Sequence, residues 1–240
     1  MSAITLVATA LAGAGTGPPS VSLVDELPLG VSLTATGAGA LVGALRGLGD
    51  ENHDVMGMAV LALCLGFGGG LARDILLGES PPIPLRTPWH VLLVGLATVL
   101  VALFGRHIRR LEPVLMVFDA ASLGLFAILG TQQALLRGVP LLPAIVVGAV
   151  AAVAGGIAAD LLQQRTPMVL APGPPYALAA TAGAASFGML VDLGGIDARA
   201  AAAIAVVLTF AGRITTYLLG IETRPQAGWN LGRRRSDSDR

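Results

Sequence analysis

The chain has 240 residues, with fifteen basic side chains against fifteen acidic ones, 12% charged and 54% hydrophobic residues, and a mean hydropathy of +0.77. A soluble domain of this length needs more charge to cover its surface, so the composition excludes one and identifies an integral membrane protein. The single cysteine, Cys64, excludes an intrachain disulfide framework and a cysteine-ligated metal site.

Residues 1–26 read as a flexible N-terminal extension. Ile4 to Ala14 is apolar like a secretion signal, but no positive charge precedes it, and Gly15-Thr16-Gly17-Pro18-Pro19-Ser20 has linker composition. A cleaved signal is the alternative. Beyond it, apolar windows of roughly 17–25 residues match the length a helix needs to cross about 30 Å of hydrocarbon. They predict spans near 27–45, 55–78, 89–105, 113–136, 140–162, 175–191 and 199–220. None shows the alternation of a barrel strand. Residues 27–110 therefore form a first three-helix repeat, 111–197 a second, 198–221 a seventh helix, and 222–240 a basic tail.

All fifteen basic residues are arginines, so their distribution sets the orientation directly. With the C-terminus in the cytoplasm, Arg46, Arg106, Arg109, Arg110, Arg165, Arg224, Arg233, Arg234, Arg235 and Arg240 lie inside, while Arg86, Arg137 and Arg199 lie outside. The run Arg233-Arg234-Arg235 is read as an orientation signal, and no nucleic-acid partner is expected. His53, His90 and His107 are widely spaced and near span ends, so no metal and no cofactor is expected either.

The most informative stretch is Gly66-Phe67-Gly68-Gly69-Gly70-Leu71-Ala72-Arg73-Asp74 in the second span. It returns 86 residues later as Ala154-Gly155-Gly156-Ile157-Ala158-Ala159-Asp160 in the fifth, with Pro167 answering Pro81 and Pro174 answering Pro88. The chain is an internal duplication. Because each copy holds three spans, an odd number, the copies enter the membrane from opposite sides, and in such proteins the path for ion or solute tends to lie at the repeat interface.

Each glycine weakens a helix by about 1 kcal/mol relative to alanine, so the triplet Gly68–Gly70 and the pair Gly155, Gly156 predict breaks in the second and fifth helices. Backbone freed at membrane depth is tolerable only against protein or water, which points to a permeation route. The competing reading is close helix packing by small residues, the reading also open to Gly37, Gly39 and Gly43. Arg73, Asp74 and Asp160 are intramembrane charges, costly unless paired or facing water, and thus candidate site residues. Arg73 and Asp74 project about 100° apart on a helix, so partners are expected elsewhere: Asp160 for Arg73, and Arg213 for Asp74 or Asp160. Asp119 is a further charge-pairing candidate, or lies in interfacial water. Thr131, Gln132 and Gln133 read as polar contacts between helices, and Trp89, Tyr176, Tyr217 and Trp229 as interfacial anchors. A nucleotide fold is excluded, since Leu71 replaces the last glycine of a GxGxxG pattern and no strand surrounds it. No nucleophile set accompanies the charges, so no enzyme is expected.

Gly68-Gly69-Gly70-x-x-Arg73-Asp74-x-Leu76-Leu77-Gly78-x-x-Pro81, with Asp119-Ala120-x-x-Leu123-Gly124-Leu125-Phe126-Ala127 opening the second copy, resembles the prokaryotic trimeric intracellular cation channel family, also known as a glycine transporter membrane family. The resemblance covers roughly residues 27–225. It implies an all-α membrane protein of seven transmembrane helices, built as two inverted three-helix repeats plus a seventh helix. It also implies a homotrimer in the bacterial plasma membrane with one pore per subunit, passing K⁺ and, less selectively, Na⁺ past Gly68, Gly69, Gly70, Gly155 and Gly156. Asp74 and Asp160 would attract the cation, with Arg73, Asp119 and Arg213 in gating or charge pairing. The second copy departs from the pattern at Ala154 and Ala159, which leaves Asp160 without an adjacent arginine. A transporter of a small zwitterion such as glycine is the alternative, with Arg73 for its carboxylate and Asp74 or Asp160 for its ammonium. A membrane scaffold without transport would leave the intramembrane charges unexplained.

Overall fold

The structure is a computed structural model that describes residues 27, 29–48, 54–108, 112–171 and 175–220, with backbone alone at 106–108 and 112–114. The expectations for residues 1–26, His53, Trp229 and the tail with Arg233–Arg235 lie outside the described residues. Those residues form seven long helices: α1 (Leu29–Leu48), α2 (Val55–Leu76), α3 (Pro88–Ile108), α4 (Glu112–Leu136), α5 (Leu141–Leu162), α6 (Tyr176–Asp192) and α7 (Ala198–Leu218). A one-turn helix, Ile83–Arg86, precedes α3.

Local chemistry starts these helices where the sequence predicts. Asp54 caps α2 by accepting from Gly57 N at 2.9 Å, and Asp197 caps α7 by accepting from Arg199 N and Ala200 N at 3.0 and 3.2 Å. Pro140 and Pro175 stand immediately before α5 and α6, and Pro88 opens α3, positions where a missing N–H costs nothing. Six of the helices, α1 to α5 and α7, are long and apolar enough to cross a membrane. α6 has 17 residues, about 25 Å at 1.5 Å per residue, and is the shortest of the seven.

Within each repeat the first two helices pack together, α1 on α2 and α4 on α5, and α2 meets α5 between the repeats. Small residues set these distances. A Cβ added at Gly39 would lie 2.5 Å from Leu65 O and one at Gly43 2.2 Å from Leu61 O, so α1 rides directly on the α2 backbone. Gly148 of α5 sits as closely against Thr131 of α4. Gly37 meets nothing within 4 Å. The apolar side chains Val91, Leu92, Leu96, Val99, Leu103 and Phe104 of α3 remain exposed, as a face toward lipid or another copy requires.

The glycine-rich segments differ from expectation. Both α2 and α5 run uninterrupted through Gly68–Gly70 and Gly155–Gly156, so neither helix is broken there. The reason is packing. A Cβ at Gly68 would lie 2.5 Å from Gly155 Cα, one at Gly69 2.4 Å from Ala151 O, one at Gly155 2.7 Å from Cys64 O and one at Gly70 2.8 Å from Pro84 Cγ. The close backbone approach offsets the intrinsic helix penalty, and both segments stay helical.

The same contacts establish the inversion. Advancing along α2 from Leu65 to Gly69 moves the contact on α5 from Gly155 back to Ala151, so the two helices run antiparallel. Gly69 and Leu65 correspond to Gly155 and Ala151 at the 86-residue offset. Gly69 touching Ala151 and Gly155 touching Leu65 are therefore one contact seen twice, the signature of a two-fold relation.

Candidate functional site

The intramembrane charges divide between the two ends of the bundle. At one end, Asp74 in the last turn of α2 is fully buried; its Oδ1 accepts from Arg73 Nε at 2.7 Å and its Oδ2 from Ile83 N at 2.6 Å. This corrects the expectation that adjacent residues would seek other partners. The length of the arginine side chain closes a gap that the Cβ directions alone leave open. His90 of α3 is buried nearby, with Nε2 3.1 Å from Ser32 Oγ and Nδ1 3.0 Å from Thr87 Oγ1.

Asp160 occupies the equivalent last turn of α5 at the other end. Its Oδ2 accepts from Met168 N at 2.9 Å, as Asp74 does from Ile83 N, while its Oδ1 accepts from Arg46 Nη1 at 3.3 Å. Arg73 does not reach it. Arg46 Nη2 also donates to Asp119 Oδ1 at 3.4 Å, and Arg213 Nη2 donates to Asp119 Oδ2 at 3.1 Å. Arg213 therefore pairs with Asp119, not with Asp74 or Asp160, and Asp119 is buried between two guanidiniums instead of lying in interfacial water. The Arg213 guanidinium carbon also lies 4.7 Å from the Tyr176 ring centroid. Two carboxylates and two guanidiniums thus neutralise one another across α1, α4, α5 and α7.

Arg46 and Tyr176 are the residues that sequence reasoning missed. The predicted first span ended at 45, which placed Arg46 just outside, whereas α1 continues to Leu48 and carries Arg46 into the cluster. Tyr176 is 8% exposed in the core, unlike Trp89 and Tyr217, whose exposure fits an interfacial anchor. The repeat offset held a signal, because it pairs Tyr176 with His90, two buried aromatic rings with polar tips beside an arginine-bearing cluster. Asp160, left uncompensated by Ala159, takes its arginine from α1.

A cavity of about 600 Å³ opens beside this cluster, lined by Arg46, Asp119, Asp160, Gln163, Arg165 and Arg213 among others. Two spaces of about 10 Å³ each, roughly one water apiece, share lining residues with it. The first lies among Arg46, Gly156, Asp160 and Tyr176; the second among Gly69, Asp119, Ser122, Phe126, Gly155 and Tyr176. Tyr176 and Gly156 belong to both. Arg46, Asp160 and Met168 line both the cavity and the first space, so shared side chains reach from the charged mouth to the Gly69–Gly155 contact between the repeats. Gly68 and Gly70 line none of these three spaces, being covered by Gly155 and Pro84. Among the described residues no cluster of three or more His, Cys, Asp or Glu could hold a metal ion.

These features define a polytopic helical membrane protein with an inverted internal duplication and a charged cavity at one end. The chain belongs to the family described as "Glycine transporter", which matches residues 30–107 and 116–192, one stretch in each repeat. It is 36% identical over 152 residues to a UPF0126 membrane protein of Deinococcus radiodurans, covering 63% of this chain and 70% of that one. It is 30% identical over 143 residues to the UPF0126 inner membrane protein YadS of Escherichia coli strain K12, covering 59% and 66%. Two solved structures share its fold at a TM-score of 0.74. One, solved to explain conductance through TRIC cation channels, is 27% identical and covers 84% of this chain and 98% of its own. The other, the TRIC trimeric intracellular cation channel orthologue from Rhodobacter sphaeroides, is 30% identical and covers 80% and 98%.

Proposed function

We propose that the chain is a passive monovalent cation channel, conducting K⁺ and less selectively Na⁺, with one pore in each subunit of a homotrimer. The observation that carries this reading is the row of spaces, sharing lining residues, from the Asp119–Asp160 mouth to the Gly69–Gly155 contact. Two carboxylates, Asp119 and Asp160, stand at the wide end, there balanced by Arg46 and Arg213, and Gly156 lines both narrow spaces. The likeness to TRIC channels supports the same reading. In this proposal α6 crosses the membrane as the third span of the second repeat, the N-terminus lies outside, and the charged mouth faces the cytoplasm of a bacterial cell.

A second reading, a transporter of a small zwitterion such as glycine, draws on the family's description and on three buried polar atoms. Gln163 Nε2, Gln163 Oε1 and Arg213 Nε have no partner among the described residues and belong to side chains lining the wide cavity. Flux into liposomes separates the two. A channel gives K⁺ flux that rises without saturation and no counterflow of labelled glycine; saturable glycine uptake with counterflow, and no K⁺ flux, would overturn the channel reading.

A further inference from the structure

Arg46 lies between carboxylates of two different helices and is held less firmly than its neighbour. Its bonds to Asp160 and Asp119, 3.3 and 3.4 Å, are longer than Arg213–Asp119 at 3.1 Å and Arg73–Asp74 at 2.7 Å. They also exceed the range of about 2.7–2.9 Å usual for charge-assisted bonds. Arg213 has the Tyr176 ring as a second hold, whereas the further contact of Arg46 is Met168 Sδ at 3.9 Å. Arg46 borders both the wide cavity and the first narrow space, so its side chain stands between the two. The wide cavity of about 600 Å³, which Gln163 also lines, offers it room.

We propose that the Arg46 guanidinium is a tethered plug, occupying a monovalent cation site formed by Asp119 Oδ1 and Asp160 Oδ1. Rotation of the side chain into the wide cavity, towards Gln163, vacates that site for K⁺. Charge balance selects a monovalent ion: Asp119 keeps Arg213, so the departure of Arg46 removes one positive charge from buried carboxylates, and one K⁺ restores it. Gating as the consequence rests on the channel reading; the cation site does not.

The test compares the parent with Arg46→Gln, Arg46→Lys and the double variant Arg46→Gln/Asp160→Asn. Thermal unfolding in detergent is measured in KCl against N-methylglucamine chloride at equal ionic strength, and open probability is measured in planar bilayers. In KCl, Arg46→Gln is expected to gain about 3 °C that the parent and the double variant do not. Its open probability should rise about tenfold, and that of Arg46→Lys by less, since an ammonium keeps the charge but cannot bridge two carboxylates as a planar fork does. Should Arg46→Gln fail to fold, the lysine variant decides: an unchanged open probability would overturn the plug. A parent that conducts, with both single variants conducting alike and no K⁺-dependent stabilisation, sinks the plug and leaves the channel standing. K⁺-dependent stabilisation of Arg46→Gln with no conduction by any form keeps the cation site and sinks the channel.

Discussion

Gly69 and Gly37 are the same residue in the middle of neighbouring helices, yet a methyl group at the first would lie 2.4 Å from Ala151 O and 2.8 Å from the Phe126 ring, while one at the second meets nothing within 4 Å. Gly69→Ala must push α2 and α4 or α5 apart, and a loss of about 1–3 kcal/mol is expected. Gly37→Ala should instead gain up to about 1 kcal/mol from helix propensity. Melting curves of the two variants in detergent check both signs. Glu79, in the loop after α2, offers a pH test: hydrogen bonds from Arg137, then from Arg86, hold its carboxyl below the usual glutamate range. A carboxyl whose folded pKa is lowered contributes stability that is present above about pH 4.3, the unfolded value, and is lost as pH falls through the folded one. The parent should melt above Glu79→Gln at neutral pH and converge with it in acid; a constant difference across the range would refute the assignment. At this scale the sequence singled out Arg73, Asp74, Asp119, Asp160 and Arg213 as charges that need a partner or water, because charge inside an apolar span needs a reason. Their partners were not legible. Partner choice depends on helix rotation and on the reach of an arginine side chain, neither of which spacing encodes.

Helix limits were legible almost everywhere, because prolines, aspartate caps and apolar length agree; α2 predicted over 55–78 and found over Val55–Leu76 is typical. The continuity of α2 and α5 was not, since a glycine triplet weakens an isolated helix and strengthens a packed one. The C-terminal caps of the two helices show how far the copies have diverged. Gly78 ends α2 at φ +70°, with Glu79 N bonded to Asp74 O at 2.8 Å. Its counterpart Gln164 ends α5 at φ +54°, with Arg165 N bonded to Asp160 O at 2.9 Å. Both are left-handed caps that favour glycine. Gln164→Gly is expected to stabilise by about 0.5–1 kcal/mol by relieving that conformation, and Gly78→Ala to destabilise by about 1 kcal/mol. Thermal unfolding of the two variants should therefore move in opposite directions, and a loss on Gln164→Gly would contradict the strain.

For the molecule as a whole, the 86-residue offset revealed a two-fold design, and the helix contacts bear it out, but the ends it relates have become unequal. One end carries the Arg73–Asp74 pair and a buried His90. The other has Arg46 and Arg213 bridging Asp119 and Asp160 under Tyr176, beside an open cavity. The loss of an arginine at Ala159 is the sequence trace of that change, and its replacement by Arg46 from another helix could be learned only in three dimensions. In the channel reading, Asp160 contributes its charge to the permeation path, which gives the central claim a direct electrical test. Single-channel recording of the purified protein in a planar bilayer under a KCl gradient, with Asp160→Asn alongside the parent, should show discrete steps reversing near the K⁺ potential and altered in conductance or selectivity by the substitution. A silent bilayer from folded parent protein, or steps that Asp160→Asn leaves unchanged, would contradict a cation path past Asp160.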